Sequence, residues 1–417
     1  MSSITSAGAG TLLRQGSFIC FLMSRSLSRL SSLVGIVAMG WQIYDLTGSA
    51  FALGMIGLVG FLPTAVLVFV AGHTVDRHDR KRIMQACQLA EALTTAFLAW
   101  GAFAGWLTVF HIFAATLVLG TTAAFESPAT TALLALIAPQ GSMQRATALS
   151  SGAAQLATIA GPALGGFAYA VSPGLPYAIM VLFWLLAAVF TGAIQLPASD
   201  EPNSGTTKGS ATKDSATPGD LFAGVRFIRQ NPSILGTISL DLFAVLFGGV
   251  TALLPIYARD ILMTGPMGLG ILRAAPAIGA LAMTSFLARH TFRRHVGLRM
   301  FQAVIAFGVA TIVFALSHWM WLSVLALALL GAADNVSVVI RFSLVQLSTP
   351  NEMRGRVGAV NFLFINASNN LGQFESGVTA ALFGTVPSAV LGGVATVAVA
   401  LIWMKLFPTL RDVDKLE

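Results

Sequence analysis

The chain has 417 residues, of which 56% are hydrophobic and only 10% are charged, and its formal net charge is +7. Soluble domains carry about 25% charged residues, so this composition excludes a water-soluble globular protein. Apolar runs of about 20 residues recur along the whole length, and each is long enough to cross a bilayer as a helix. We therefore predict a helical membrane protein with many spans, each of which satisfies its own backbone hydrogen bonds.

The apolar runs predict twelve spans. In chain order they cover residues 17–44, 50–73, 83–105, 108–137, 144–171, 175–196, 233–258, 267–289, 298–318, 320–347, 354–384 and 387–408. The residues before the first span do not have the features of a cleavable signal, and the first apolar run is too long for one. An even number of spans places both termini on the same side of the membrane.

The basic residues are distributed unevenly between the two sides. Of the 24 Lys and Arg residues, 19 fall on the side of the N terminus, and only Arg259 falls on the opposite side. Cytoplasmic loops of membrane proteins carry this excess of positive charge. We therefore expect both termini in the cytoplasm. The same bias accounts for the basic net charge without a nucleic-acid partner.

A polar segment divides the predicted spans into two groups of six. Residues 197–220 are rich in Ser, Thr, Gly and Pro, which is typical of a flexible linker. In residues 221–232, apolar side chains alternate with Arg226 and Arg229, which suits a short helix lying on the membrane surface. The predicted domains are an N-terminal six-helix bundle (1–196), a cytoplasmic linker with an amphipathic helix (197–232) and a C-terminal six-helix bundle (233–417).

The two halves carry a weak internal repeat. Residues 118–166 align without gaps on residues 329–377, at an offset of 211. The matched pairs are Gly120 with Gly331, Pro139 with Pro350, Arg145 with Arg356, Gly161 with Gly372, and Gly166 with Gly377. Parallel repeats of a six-helix unit occur in transporters, whose substrate site lies between the halves. The alternative is chance agreement of Gly and Pro, but the shared order of loop Pro, loop Arg and helix Gly argues against it.

Two short motifs and several longer stretches resemble a known superfamily. The loop AGHTVDRHDRKRIMQ, residues 71–85, resembles the signature loop of the major facilitator superfamily through Gly72, Asp76, Arg77, Arg80 and Lys81. The stretch AGPALGG resembles its antiporter motif, associated with exporters more than importers, through Gly161, Pro162, Gly165 and Gly166. Residues 41–63, 125–134 and 271–281 resemble the branch that contains enterobactin exporters and macrolide efflux proteins. The resemblance implies two pseudo-symmetric bundles that together form the major facilitator fold.

Two features depart from the pattern of that superfamily. Many of its drug/proton antiporters carry an Arg in the fourth span, followed by Gln-Gly and linked to proton coupling, and the fourth span here has no Arg. The C-terminal counterpart of the signature loop, LARHTFRRHVG, keeps its basic residues but lacks the Asp. The route by which protons would be coupled to transport is therefore left open.

Asp76 lies among four basic side chains at the predicted cytoplasmic edge. The basic residues serve as a topology signal, but that role does not explain an acid in the same loop. A carboxylate here would cap the N-terminal end of a helix from the other half, which contributes about 0.3–1 kcal/mol at an exposed site. The resemblance identifies that helix as the eleventh span, which begins near Arg354. We expect a latch that opens in each transport cycle.

Ionisable and strongly polar residues inside spans are costly and mark functional sites. The candidates for a substrate or proton cavity are Arg25, Arg29, Glu126, Asp241, Asp334, Arg341, Asn366, Asn370 and Glu375. The four acids among them are candidates for proton exchange, and the alternative for each is a structural salt bridge, for example Asp334 with Arg341. Arg25 and Arg29 share one face of the first span and need an anionic partner, such as Glu91, Glu126 or a substrate. Alternatively, Arg25 reaches the cytoplasmic interface.

The sequence contains no pattern typical of an enzyme. The six His residues form no metal-ligand spacing, and no phosphate-binding loop is present, so we predict no catalysis, cofactor or metal. We predict a monomeric secondary transporter in the lipid of the bacterial inner membrane. It would export a small organic molecule, a siderophore or an amphipathic drug, by alternating access coupled to proton influx. The alternatives are an importer or facilitator of a metabolite on the same fold, and a non-transporting membrane sensor.

Overall fold

The computed structural model of the protein describes residue 12 and residues 14–139, 141–195, 218–290, 295–350 and 353–414. Helices dominate these ranges. They are α1 (Gly16–Thr47), α2 (Ala50–Arg77), α3 (Arg80–Ala104), α4 (Val109–Ile137), α5 (Met143–Val171), α6 (Leu175–Ala193), α7 (Pro218–Gln230), α8 (Pro232–Phe247), α9 (Gly265–Arg289), α10 (Val296–Ala315), α11 (Met320–Ser348), α12 (Arg354–Phe383), α13 (Thr385–Leu406) and α14 (Pro408–Arg411). After α8 the chain continues through a 3₁₀ turn, a single α-helical turn and a π-helical turn, ending at Ile261.

Ten helical segments in the described ranges are long and apolar enough to cross a membrane. The stretch Pro232–Ile261 counts as one of them, including the irregular turns after α8. Helices α3 and α12 are also long, with 25 and 30 residues, but their polar side chains keep them out of the ten. The prediction of an all-helical membrane protein with many spans is confirmed, whereas a total of twelve spans stays a prediction.

Short local signals set where several helices end. Gly48 and Gly105 adopt left-handed backbone conformations, with φ of 59° and 75°, and terminate α1 and α3. Such conformations favour Gly because it has no Cβ. The Ser49 hydroxyl caps α2 by accepting a hydrogen bond from the Ala52 backbone N–H at 3.3 Å. These tight connections reverse the chain, so that consecutive helices run antiparallel.

The bundle has two distinct ends. At the terminal end, where α1 begins, the Ser17 hydroxyl donates to the Gln195 carbonyl that follows α6, at 2.8 Å. At the opposite end, α1 finishes against the π-helical turn, where Arg259 pairs with Asp45 at 3.1 Å. The Tyr44 hydroxyl also donates a hydrogen bond to Asp260 there. These last contacts join the N-terminal half (α1–α6) to the C-terminal half (α8–α13).

Glycines of the predicted repeat make equivalent contacts within each half. Gly120 of α4 packs against the backbone of Gly60 in α2, and its counterpart Gly331 of α11 packs against the backbone of Pro276 in α9. At both positions the neighbouring carbonyl leaves no room for a Cβ atom. Because α2 and α9 are the second and eighth predicted spans, each contact joins helices in equivalent positions of the two halves.

A second set of repeat glycines joins the two halves. Gly166 of α5 packs against Gly270 of α9, and its counterpart Gly377 of α12 packs against Gly54 of α2. A Cβ added at Gly166 would lie 2.5 Å from the Pro266 carbonyl oxygen, and one at Gly377 would lie 2.5 Å from the Gly54 Cα. Small residues permit this close helix approach. The halves therefore meet along two crossings that are related by the repeat.

Helix α7 overlaps residues 221–232, for which the sequence predicts a short helix on the membrane surface. Its Ile228 is buried in a cluster with Ile234, Val345 and Val357, so α7 packs against the terminal end of the C-terminal half. Arg226 and Arg229 are exposed. The preceding part of the predicted linker, residues 197–217, lies outside the described residues.

Candidate functional site

The halves are in contact at the opposite end, whereas glycines near the terminal end have open surroundings. A Cβ added at Gly72, near the end of α2, would meet nothing within 4 Å. The same holds for Gly355 and Gly358, at the start of α12. The close contact of α2 with α12 at Gly54 and Gly377 therefore has no counterpart at these three glycines.

In the signature loop, Asp79 and Lys81 make structural hydrogen bonds, whereas Asp76 has no ion-pair partner among the described residues. Asp79 caps α3 by accepting from the Lys81 backbone N–H at 2.9 Å, and the Lys81 amine donates to the Ile194 carbonyl after α6 at 2.7 Å. Asp76 is exposed and forms no ion pair within the described residues. The Arg354 Nε–H donates a hydrogen bond to the Thr349 backbone carbonyl at 3.2 Å. The latch between Asp76 and the start of α12 stays a prediction, because this conformation does not bring the two together.

The antiporter motif lies where α5 meets two other helices. Gly161 packs against Leu33 of α1, and a Cβ at Gly165 would lie 3.0 Å from the Val34 carbonyl oxygen, also in α1. On another side, Pro162 and Gly166 contact Gly270 of α9 in the other half. The small residues of the motif thus allow α5 to pack closely against α1 of its own half and against α9 of the other half. Its role in antiport stays a prediction.

A polar cavity of about 480 Å³ lies in the N-terminal half, towards the terminal end. Helices α1, α4 and α5 line it, and its charged residues are Arg25, Arg29 and Glu126. Three of the predicted site residues are therefore brought together. Glu126 interacts electrostatically with Arg25, but no cation lies within 4.0 Å of it in the described ranges.

A hydrogen-bond network beside this cavity ties α1, α3 and α6 together. The Gln88 amide donates to the hydroxyls of Ser24 and Ser28, at 3.0 and 3.1 Å. Its carbonyl oxygen accepts from the Thr191 hydroxyl at 2.8 Å. Gln88 and Ser28 also approach the Glu126 carboxylate. Buried networks of this kind fix side-chain positions, so Glu126 is held in place by neutral groups.

Glu91 is the acid whose importance the sequence did not reveal. It is only 2% exposed, and one carboxylate oxygen accepts from the Thr122 hydroxyl at 2.7 Å. Its other oxygen is buried and has no hydrogen-bond partner among the described residues. Glu91 and Glu126 also lie close enough to interact electrostatically. The signal in the sequence is an acid inside the third predicted span, where the pattern indicates only a partner for Arg25 and Arg29.

A central cavity of about 330 Å³ lies between the two halves. Apolar side chains form much of its wall, including Met39, Met180 and Trp184. Its polar wall is composed of Glu91, Glu126, Arg273, Asn370 and Gln373, together with Ser32 and Thr116. An apolar cavity with a few convergent polar groups is typical of a small-molecule site. The predicted residues Glu126 and Asn370 therefore share one cavity, although they come from different halves.

The salt bridge suggested within α11 is wrong. Arg341 pairs with Asp241 of α8, and their side chains are only 4% and 8% exposed. Asp334 and Arg341 are seven residues apart, which is about 10 Å along a helix, so α8 supplies the nearer carboxylate. Asp334 instead lines a third cavity of about 470 Å³, beside Arg273 and Gln373.

The polar residues of α12 divide between the cavity and the helix itself. Asn370 lines the central cavity, and its amide also donates to the Asn366 carbonyl at 2.8 Å. The Asn366 amide donates to the Phe362 carbonyl at 2.9 Å. Asn366 and Glu375 do not line any of the three cavities described above. Of these three cavity candidates on α12, Asn370 therefore lines a cavity, while Glu375 lies further towards the opposite end.

Comparison with known proteins decides the family. A family model described as a transmembrane secretion effector, one of the major facilitator superfamily, matches residues 7–417. The chain belongs to the major facilitator superfamily. Macrolide efflux protein A of Streptococcus pyogenes is 23% identical over 407 residues, which cover 96% of this chain and 97% of that protein. Enterobactin exporter EntS of Citrobacter koseri is 27% identical over 400 residues, covering 92% and 91%.

The fold is shared with solved transporter structures. A bacterial homologue of the human lysosomal transporter Spinster, in an inward-facing and unoccupied conformation, superposes with a TM-score of 0.72. The identity is 13%, and the match covers 95% of each chain. The chain is therefore a multi-pass membrane transporter of the major facilitator type, and several of its relatives are named as efflux proteins. The resemblance to that superfamily is confirmed.

Proposed function

We propose that this transporter exports a small amphipathic organic molecule, a siderophore or a drug, across the bacterial inner membrane in exchange for protons. In this proposal twelve helices span the membrane, both termini are cytoplasmic and the protein works as a monomer. The main support is the central cavity, which combines an apolar wall with acids and lies between halves that are in contact at the opposite end. With the terminal end in the cytoplasm, the cavity would load from inside the cell.

The proton would be carried by the N-terminal half. Glu126 and Glu91 share the central cavity and are held by hydroxyl and amide groups, with no cation within 4.0 Å in the described chain. Two neighbouring acids in a buried site cannot both ionise easily, so proton binding there would respond to a change in hydration or to a bound ligand. Asp241 is less suited, because it is already paired with Arg341.

Inverted membrane vesicles test the direction and the energy source together. Vesicles that contain the protein should accumulate a radiolabelled macrolide or enterobactin when respiration acidifies their interior, and a protonophore should abolish the accumulation. For comparison, vesicles that contain the Asp76→Asn variant should hold as much inserted protein as wild type but accumulate the compound more slowly. Uptake of the same compounds by whole cells, with no accumulation in inverted vesicles, would contradict export and favour an importer.

A further inference from the structure

Arg273 has no carboxylate partner in the described chain. It lies on α9 and lines both the central cavity and the 470 Å³ cavity beside it. Its Nε is buried without a hydrogen-bond partner, and no carboxylate of the described residues lies within 4.0 Å of its guanidinium nitrogens. Arg273 was not among the site residues expected from the sequence.

Two of the other arginines inside predicted spans have an acid nearby. Arg341 is paired with Asp241, and Arg25 interacts electrostatically with Glu126. A buried guanidinium without a counter-ion is costly, and in transporters such groups typically face a pathway or a ligand. Asp334 lines the 470 Å³ cavity together with Arg273 but lies more than 4.0 Å from its guanidinium nitrogens, so Arg273 is open to an anionic partner from outside the chain.

The cavity around Arg273 has room for such a partner. Gly40 of α1 faces the guanidinium, and a Cβ added there would lie 4.0 Å from Nη2. Apolar side chains such as Met180 and Trp184 line the same cavity. Glu91 and Glu126 also line this cavity, and they would repel a second negative charge. The cavity is thus asymmetric, with a lone cation on the C-terminal half and acids on the N-terminal half.

We propose that Arg273 binds the acidic group of the transported molecule, a carboxylate or phenolate, and so selects amphipathic molecules that carry one such group. The inference rests on the proposed function, because it takes the central cavity as the substrate site. An Arg fork recognises a carboxylate through parallel charge-assisted hydrogen bonds, which are stronger than neutral ones. The apolar body of the molecule packs against the methionine and tryptophan side chains.

A matched pair of fluorescent probes tests this assignment. Dansylglycine carries a carboxylate, and dansylglycinamide replaces it with a neutral amide of nearly the same size. Binding of each to the purified full-length protein is followed by fluorescence anisotropy. We expect wild type to bind dansylglycine about tenfold or more tightly than the amide. Arg273→Gln should remove that preference and leave amide binding within about twofold, which also shows that the variant is folded.

Arg226→Gln is the matched control, because it removes an exposed Arg on α7 and should leave both affinities unchanged. Equal binding of the two probes by wild type, no binding of dansylglycine, or an acid preference that survives in Arg273→Gln would each overturn the assignment. Accumulation in inverted vesicles is measured separately. Intact proton-driven export without acid selectivity would therefore remove this inference and leave the proposed function standing.

Discussion

The two halves of the molecule have equivalent helix contacts, but they differ in how their buried charged side chains are paired. Gly120 and Gly331 occupy equivalent crossings, yet the N-terminal half leaves Glu91 and Glu126 facing a cavity without an ion pair in the described ranges. In the C-terminal half, Asp241 is buried against Arg341, whereas Asp334 lines the 470 Å³ cavity without an ion pair in the described ranges. Backbone approach requires small residues at fixed positions, so it constrains both copies of a repeat. Charges are not constrained in this way, so the two halves differ in which of their buried acids have an ion-pair partner.

The largest expected effect is on the buried ion pair of the C-terminal half. Arg341→Met leaves Asp241 buried without a counter-ion, and we expect it to lower stability by about 3–5 kcal/mol. The measurement is the thermal unfolding midpoint of the purified protein in nanodiscs. The double variant Asp241→Leu with Arg341→Met should recover most of the loss, since two apolar side chains then replace the pair.

Glu126→Gln is the comparison from the other half. It preserves side-chain size and removes no ion pair, so its cost should stay below about 1 kcal/mol. If Arg341→Met melts at the wild-type temperature, or if Glu126→Gln is the more damaging change, the contrast between the halves is wrong.

The next effect is on the packing that the halves share. Gly166→Ala and Gly377→Ala each place a Cβ 2.5 Å from backbone atoms of the other half. Overpacking of this kind costs about 1–3 kcal/mol, and we expect similar losses of thermal stability from both variants. Gly152→Ala in α5 and Gly358→Ala in α12 are matched controls, because a Cβ at either meets nothing within 4 Å. A large loss from only one of the two interface variants would show that the crossings are not equivalent.

The smallest effect concerns the exposed ion pair that joins the halves. Arg259 and Asp45 have side chains that are 39% and 51% exposed, so their 3.1 Å contact is well hydrated. Arg259→Gln should lower stability by at most about 1 kcal/mol, and raising the salt concentration should reduce even that difference. Thermal melts of both proteins at low and high salt provide the check. A loss comparable to that of Arg341→Met would contradict the distinction between exposed and buried pairs.

Most of the fold could be predicted from the sequence because its determinants are local. Each apolar run that is long enough to span a membrane contains a helix. The residues that end or begin helices, such as Gly48, Gly105 and Asp79, act within one helical turn. The glycine pairs of the repeat also proved informative, since close approach depends on the residue type at a single position. Within the signature loop, Asp79 caps a helix, but Asp76 has no such local role.

The site was harder to predict because it depends on which side chains meet. The partner of Arg341 lies on α8, about 100 residues earlier in the chain, and only the helix packing brings the two together. Arg273 stands out because no carboxylate in the described ranges pairs with it, and a sequence does not show the absence of a contact. Glu91 was visible as an acid in a span, but its proximity to Glu126 follows from the crossing of α3 and α4.

The most direct test of the central claim measures proton movement by the purified protein in liposomes that contain a pH-sensitive dye. A gradient of transported macrolide or enterobactin should drive protons in the opposite direction in wild type. The same movement should persist in the double variant Asp241→Leu with Arg341→Met. We predict that the double variant Glu91→Gln with Glu126→Gln still exchanges substrate across the membrane but moves no protons. Proton movement at the wild-type rate in that variant would contradict the assignment of coupling to the N-terminal half.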